Sequence, residues 1–329
     1  MSQDRCLSTL ADIGAGRHFT AAAKKRLWSG RNVPPVLDFD RARFGQLRRE
    51  NATRISISGI QDKISLRLDK NRLVPTTANG DYILKPIPSL EGIECLADVP
   101  ANEHVTMQIA AQVFRIPTAA NGLVFFQDGA PAYIVRRFDR SAETGGKLHQ
   151  EDFCQLSGRS AETGGPHYKY DSSYEEVGEL LYRYCPAARI AALKLFRLIV
   201  FNYLIGNGDA HLKNFSLLES RDGDMLLSPA YDLLNTSLHF PHESRTALEC
   251  FRDFETPQFS AHGFYTAADF RELGRRFKLP LKTIEATLAE FRRSAPAIKD
   301  LVHRSFLSEG ARLRYLAIMK DRQKALEIE

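Results

Sequence analysis

The strongest constraint on what this chain can fold into is a change of hydrophobic pattern part-way along it. Between residues 54 and 139 the sequence is punctuated by short strand-like stretches, "ISLRL", "YILKP", "GLVFF" and "AYIVRRF". From about residue 150 onward, apolar positions recur every three or four residues, the period of helices that bury one face. One helix interrupts the strands. "VPANEHVTMQIAAQVF" opens at Pro100, and Val105, Ile109 and Val113 repeat every four residues. A strand-rich half followed by a helical half predicts an α+β fold of two lobes, and clefts between lobes are common ligand sites.

We divide the chain into a basic, helical segment (1–53), a strand-rich N-lobe (54–139) and a helical C-lobe (140–329). The first segment has predicted helices in "FTAAAKKRLW" and "DFDRARFGQLRREN". Asn79-Gly80 predicts a tight hairpin turn, because both residues tolerate positive φ. Ser173 and Glu176 form a capping-box pattern ahead of "VGELLYRY". Pro186 opens a long apolar helix that stops near Gly206. A two-stranded segment with a turn at "RDGD" follows around residues 214–231. Helices are then predicted in "AADFRELGRRF", in "LKTIEATLAEFRRS" and in the last thirty residues.

Five cysteines, at 6, 95, 154, 185 and 250, include no C-x-x-C pair and read as free thiols in a reducing compartment. The opening residues lack a basic stretch followed by an apolar one, so no secretory signal is expected. The apolar run "LKLFRLIVFNYLIG" is broken by Lys194, Arg197 and Asn202 and is too short to cross a bilayer. A cytoplasmic protein is expected. The net charge of +5 suits a polyphosphate or nucleic-acid ligand, and suits solvated Lys and Arg on helix faces equally well.

Chemistry concentrates after the apolar helix, in "NGDAHLKNFSLL". Asp209 and Asn214 are five apart, and Asp232 follows in "SPAYDLLNT". Phosphoryl transfer from ATP needs a carboxylate to take or orient the proton of the attacking hydroxyl. It also needs an amide oxygen and a second carboxylate to hold Mg²⁺ against the phosphates. Protein kinases use that Asp-x-x-x-x-Asn spacing, with a metal-binding Asp after a hairpin. Upstream, Lys85 in "YILKP" stands where kinases place a phosphate-contacting lysine, and Glu103 lies in the first turn of the next helix. Each part has a plainer reading. Asn-Gly-Asp can be only a turn, His211 a hydrogen-bonded structural histidine, Lys85 an exposed strand end and Glu103 a residue favoured by the helix dipole. The same Asp, His and Asn residues could also form a metal-hydrolase site. Their order along the chain favours the kinase reading.

"SISGIQDK", "YILKP", "NEH", "VRRFDR", "HQEDFCQLSG", "NYLIGNGDAHLKNFSLL" and "PAYDLLNT" together resemble the HipA family of bacterial Ser/Thr-kinase toxins, from about residue 54 to the end. The resemblance implies a two-lobed, protein-kinase-like fold with a helical C-lobe. It implies Asp209 as catalytic base, Asn214 and Asp232 as magnesium ligands, and Lys85 on the ATP phosphates, with Glu103 as its support. Ser58, Gly59, Ile60, Gln61, Asp62 and Lys63 would cover the nucleotide, aided by His211, Leu212, Lys213 and Tyr231. Arg136, Arg137 and Phe138 would form the hinge beside adenine; many family members carry Glu where Arg136 stands. The short, strandless stretch before the nucleotide loop resembles the HipT branch. There a small protein, HipS, supplies a missing subdomain and a third protein, HipB, binds DNA. That branch also implies autophosphorylation at Ser56 and Ser58.

The expected function is therefore an Mg-ATP-dependent Ser/Thr kinase toxin acting on an aminoacyl-tRNA synthetase, with the loop serines as its switch. One alternative is a nucleotide-sensing component of a DNA-bound repressor complex, with "KKRLW" through "RRENATR" as its interaction surface. Another is a metal-dependent phosphohydrolase.

Overall fold

The computed structural model describes residues 4–51, 62–90, 92–141 and 145–329. In the first lobe, strand β1 (Ile64–Asp69) buries Ile64 and Leu66 on one face. It joins β2 (Arg72–Pro75), β3 (Tyr82–Pro86), β4 (Asn121–Phe125) and β5 (Pro131–Arg136) in an antiparallel sheet of order β2-β1-β3-β5-β4. The predicted hairpin at Asn79-Gly80 is not there. The tight turn joins β1 to β2, where Asp69 pairs with Arg72. Asn79-Gly80 lies in the crossing from β2 to β3, which flank β1 on opposite sides. Asn79 does take a left-handed φ of 53°. Gly80 runs so close to β1 that a Cβ would fall 2.1 Å from Ser65 Oγ. Close approach, rather than hairpin geometry, accounts for the glycine.

The N-terminal segment contains α1 (Ala21–Trp28) and α2 (Arg41–Asn51), joined and preceded by irregular chain. It packs onto the sheet. Leu123 N donates to Leu7 O, Leu37 N to Phe125 O and Phe125 N to Pro35 O, each at 2.8 Å. Trp28 is fully buried, with ring centroids 5.5 Å from Phe19 and 5.3 Å from Tyr82. The segment thus shares the hydrophobic core of the N-lobe.

Helix α3 (Val99–Gln112) carries Pro100 in its first turn and is buried at every residue from Val99 to Ala110. Burial on all sides follows from its place between the sheet and the C-lobe. Asn102 Nδ2 donates to Asn235 O (2.8 Å), and Asn235 N donates back to Asn102 Oδ1 (3.2 Å). Thr106 and Tyr315 share a hydrogen bond of 2.9 Å between their hydroxyls.

The C-lobe begins with β6 (Gln150–Asp152), α4 (Phe153–Leu156), α5 (Ala161–Gly164), α6 (Tyr174–Tyr184) and α7 (Ala188–Ile205). Then come β7 (Ser216–Glu219), β8 (Met225–Leu227), α8 (Pro257–His262), α9 (Ala267–Arg276), α10 (Leu281–Arg292), α11 (Ala295–Arg304) and α12 (Glu309–Ala325). The apolar α7 is the hub, packed against α6, α9, α10 and α12. It ends at Gly206 as expected and begins two residues after Pro186. The expected strand pair β7–β8 gains β6 as a third strand. Ser173 caps α6 by accepting from Glu176 N (3.2 Å), but the reciprocal half of the capping box is missing. The Glu176 carboxylate instead accepts from Arg159 (2.8 and 3.0 Å) and from Ser172 (2.8 Å). A paired guanidinium is a stronger partner than a backbone N–H. All five cysteines are free, and no helix among the described residues is long and apolar enough to cross a membrane.

Candidate active site

The fold brings the separated motifs to one cleft of about 700 Å³. Lys63, Lys85, Glu103, Asp209, His211, Lys213, Asn214 and Asp232 all line it. Lys85 comes from β3 and Glu103 from α3, while the five C-lobe groups follow α7.

Lys85 Nζ donates to Glu103 Oε1 (2.7 Å) and also to Asp232 Oδ1. An ammonium has three N–H donors, so one is left for an anion. Burial alone would lower the Lys85 pKa; the facing carboxylates of Asp232 and Glu103 reverse this and hold it above the usual range. Of the two carboxylates that face Lys85, the deeper one gives way. Burial pushes Glu103 up to about 7 despite Lys85. Asp232, half-exposed to the cleft, is held below the usual range because Lys85 outweighs its desolvation. Asp232 also takes a left-handed φ of 53°, an uncommon conformation for a non-glycine residue and one that clusters at functional sites.

The loop from 206 to 214 is fixed by its own polar groups. Asn207 N donates to Asn202 O (2.9 Å), and Asn207 Nδ2 to Asn202 Oδ1 (2.8 Å). Gly208 N donates to Thr236 Oγ1 (2.7 Å), and Asp209 N to Asn207 Oδ1 (3.2 Å). A short 3₁₀ turn, Leu212–Asn214, is closed from both ends. Lys213 N donates to His211 Nδ1 (3.3 Å), and His211 N to Asn214 Oδ1 (3.1 Å). Burial pushes the His211 imidazole down to about 4, so it is neutral at pH 7. Its Nε2 lies 4.0 Å from Asp209 Oδ1, beyond hydrogen-bond reach.

One partner of Asp209 has no counterpart in the sequence reading. Tyr170 Oη donates to Asp209 Oδ1 at 2.5 Å. Its only sequence signal is its place in "HYKYDSS", between the short helices and α6. Nothing in the local pattern marks a contact to a residue 39 positions away.

Of the other expected residues, some lie away from the cleft or beside it and some are not described. Ser56, Ser58, Gly59, Ile60 and Gln61 fall outside the described residues. Asp62 is bonded to Arg48 of α2 (2.8 Å). Leu212 is fully buried in the hydrophobic core. Tyr231 donates to Lys213 O (2.8 Å) and packs against Phe138 at 5.6 Å, beside the cleft. Arg136 donates to Arg26 O (3.0 Å), and Arg137 forks onto Asp139 (2.9 and 2.5 Å). Neither guanidinium is among the groups lining the cleft.

Asp232 and Asn214 offer hard oxygen donors to one space. That suits Mg²⁺, which takes one or two protein oxygens and completes its shell with phosphate and water. Among the described residues no group of three or more His, Cys, Asp or Glu could hold a metal by itself.

A family model described as HipA-like C-terminal domain matches residues 55–298. The chain belongs to this family. It is 28% identical over 309 residues to a putative kinase of Haemophilus influenzae, covering 88% of this chain and 87% of that one. It is 26% identical over 270 residues to the serine/threonine-protein kinase toxin HipA of Shewanella oneidensis, covering 76% of this chain. The match spans only 58% of that toxin's length. HipA of S. oneidensis, solved in complex with HipB and operator DNA, superposes with a TM-score of 0.65 at 22% identity. That superposition covers 96% of this chain and 75% of the HipA chain, and it bears out the two-lobed, HipA-like α+β fold.

Proposed function

We propose that the chain is an Mg²⁺- and ATP-dependent protein kinase that phosphorylates Ser or Thr hydroxyls. The reading rests most on one observation: Lys85, paired with buried Glu103 and with Asp232, lines the same cleft as Asp209 and Asn214. On this reading Lys85 binds the nucleotide phosphates through its remaining donor, and Glu103 fixes where that donor points. Asp209 accepts the proton of the attacking hydroxyl. Asn214 and Asp232 would hold the metal ion, which when bound would supply positive charge against the phosphates. His211 and Lys213 flank the same space.

We further propose that this kinase is the toxin of a toxin–antitoxin set, acts in the cytoplasm on an aminoacyl-tRNA synthetase, and thereby arrests translation. A HipB-like DNA-binding partner is supported by the complex in which the S. oneidensis HipA was solved. A small HipS-like partner and autophosphorylation at Ser56 and Ser58 follow from resemblance to the HipT branch. Phosphates there would add close to two negative charges each beside the nucleotide.

Incubation with γ-³²P-ATP and Mg²⁺, with and without a panel of synthetases, tests the reading when followed by phosphosite mapping. Asp209→Gln should keep the melting temperature and lose transfer by about 10²-fold or more. Full transfer by that variant would overturn the assignment, and label confined to other sites would remove the serine switch.

A further inference from the structure

The Tyr170–Asp209 contact is built, not incidental. The stretch carrying Tyr170 is tied to the 206–214 loop at several points. Leu212 N donates to Lys169 O (3.2 Å), and Lys213 Nζ to Tyr168 Oη (3.3 Å). Just beyond it, Tyr174 Oη donates to Ala210 O (3.2 Å). The Tyr170 ring stands edge-on to His211 at 5.1 Å, and Lys169 Nζ lies 4.9 Å from its centroid. The side chain is therefore held from both sides before its hydroxyl reaches Asp209.

Two roles are open to a phenol donating to such a carboxylate. It can sit where an acceptor hydroxyl belongs, or it can hold the carboxylate from the side. Asp209 and Lys169 line the cleft, and the ties of the 168–174 stretch to the 206–214 loop fix the phenol beside the carboxylate, which favours the second role. We propose that Tyr170 is a positioning residue: its hydroxyl anchors Asp209 Oδ1 and leaves the other carboxylate oxygen oriented toward the acceptor hydroxyl. The inference rests on the kinase reading of Asp209. Burial, helped by the neighbouring carboxylate, raises the phenol's pKa well above its ordinary value, so the donor keeps its proton at neutral pH. A base misplaced by a fraction of an ångström loses much of its effect on rate.

The test is Tyr170→Phe in the full chain, which removes only the hydroxyl. Label transfer from γ-³²P-ATP to the chain itself and to casein is followed while ATP is varied, and nucleotide affinity is read with mant-ADP. We expect kcat to fall by about 10- to 100-fold. KM for ATP, mant-ADP affinity and melting temperature should stay within about twofold or a few degrees. In an Asp209→Asn background the same change should lower the residual rate no further, because Tyr170 acts through the carboxylate. An unchanged or raised kcat, or an additive loss in that background, would overturn the proposal. If the wild type transfers label, Asp209→Asn does not and Tyr170→Phe matches the wild type, this proposal alone fails. If the wild type transfers none, the kinase reading fails with it.

Discussion

At the residue scale, the site depends on atoms that leave no room. Gly208 precedes Asp209, and a Cβ there would lie 2.4 Å from Ser244 O and 2.7 Å from the Glu243 carboxyl carbon. One obstacle is backbone and cannot swing aside. Gly208→Ala should therefore displace the loop, costing about 1–3 kcal/mol of stability as other overpacked sites do. It should also cut phosphoryl transfer more deeply than nucleotide binding. Urea midpoints and single-turnover rates on the same preparation check this; a variant with wild-type values in both would show that the loop can yield. That Lys85, Asp209, Asn214 and Asp232 would meet in one cleft was legible, because the kinase order of these residue types implies it. The pairing of Glu103 with Lys85 followed the same logic. Tyr170 was not legible, since a phenol meeting a carboxylate through tertiary structure has no period and no fixed spacing.

At the scale of elements, long periodic segments were readable and short or irregular ones were not. The apolar helix α7 carries its pattern over 18 residues, and the strand around Lys85 is marked by an apolar run rather than by length. Strand β6 has three residues, too few for alternation to register. The chain before β1 misled in another way. Its charges suggested a basic surface, while its apolar residues, spaced without period, fill the N-lobe core. Phe19, Leu27, Trp28, Leu37 and Phe44 are all buried. Trp28→Ala should consequently destabilise the N-lobe by about 3–5 kcal/mol, as truncation of other large core aromatics does. Thermal melts together with mant-ADP binding report the loss. A change under about 1 kcal/mol would mean that the segment sits on the sheet without supporting it.

Across the whole molecule, stability should depend on pH through buried histidines, two of which tie distant parts of the chain together; His211 acts in the same direction, and Glu103, whose carboxyl pKa burial pushes up, partly opposes them. His104, on α3, bonds Ser8 O through Nε2 at 2.8 Å; His239 bonds Glu94 O through Nδ1 at 2.8 Å. Burial lowers both pKa values to about 4. The unfolded chain protonates them near 6.5, so between about 6.5 and 4 it binds more protons than the folded one. Stability from these two sites is fully present above pH 6.5 and is lost as pH falls toward 4, by up to about 1.4 kcal/mol per unit for each. Urea unfolding at pH 7.5 and 5.5 should show this drop, and His104→Gln should reduce its slope. A slope unchanged by that substitution would place the proton uptake elsewhere.

Helix α3 has a consequence for how such a molecule can be governed. Its residues face the sheet on one side and Asn235, Tyr315 and α11 on the other, and its N-terminal neighbour Asp98 takes hydrogen bonds from Ser308 N (2.6 Å) and Oγ (2.8 Å). A helix clamped by both lobes is an axle rather than a lever. Swinging it out would strip Glu103 from Lys85, and with the same stroke break the paired amide bonds of Asn102 and leave buried polar groups without partners. A switch in such a molecule would need to sit where less is bolted down than at this helix.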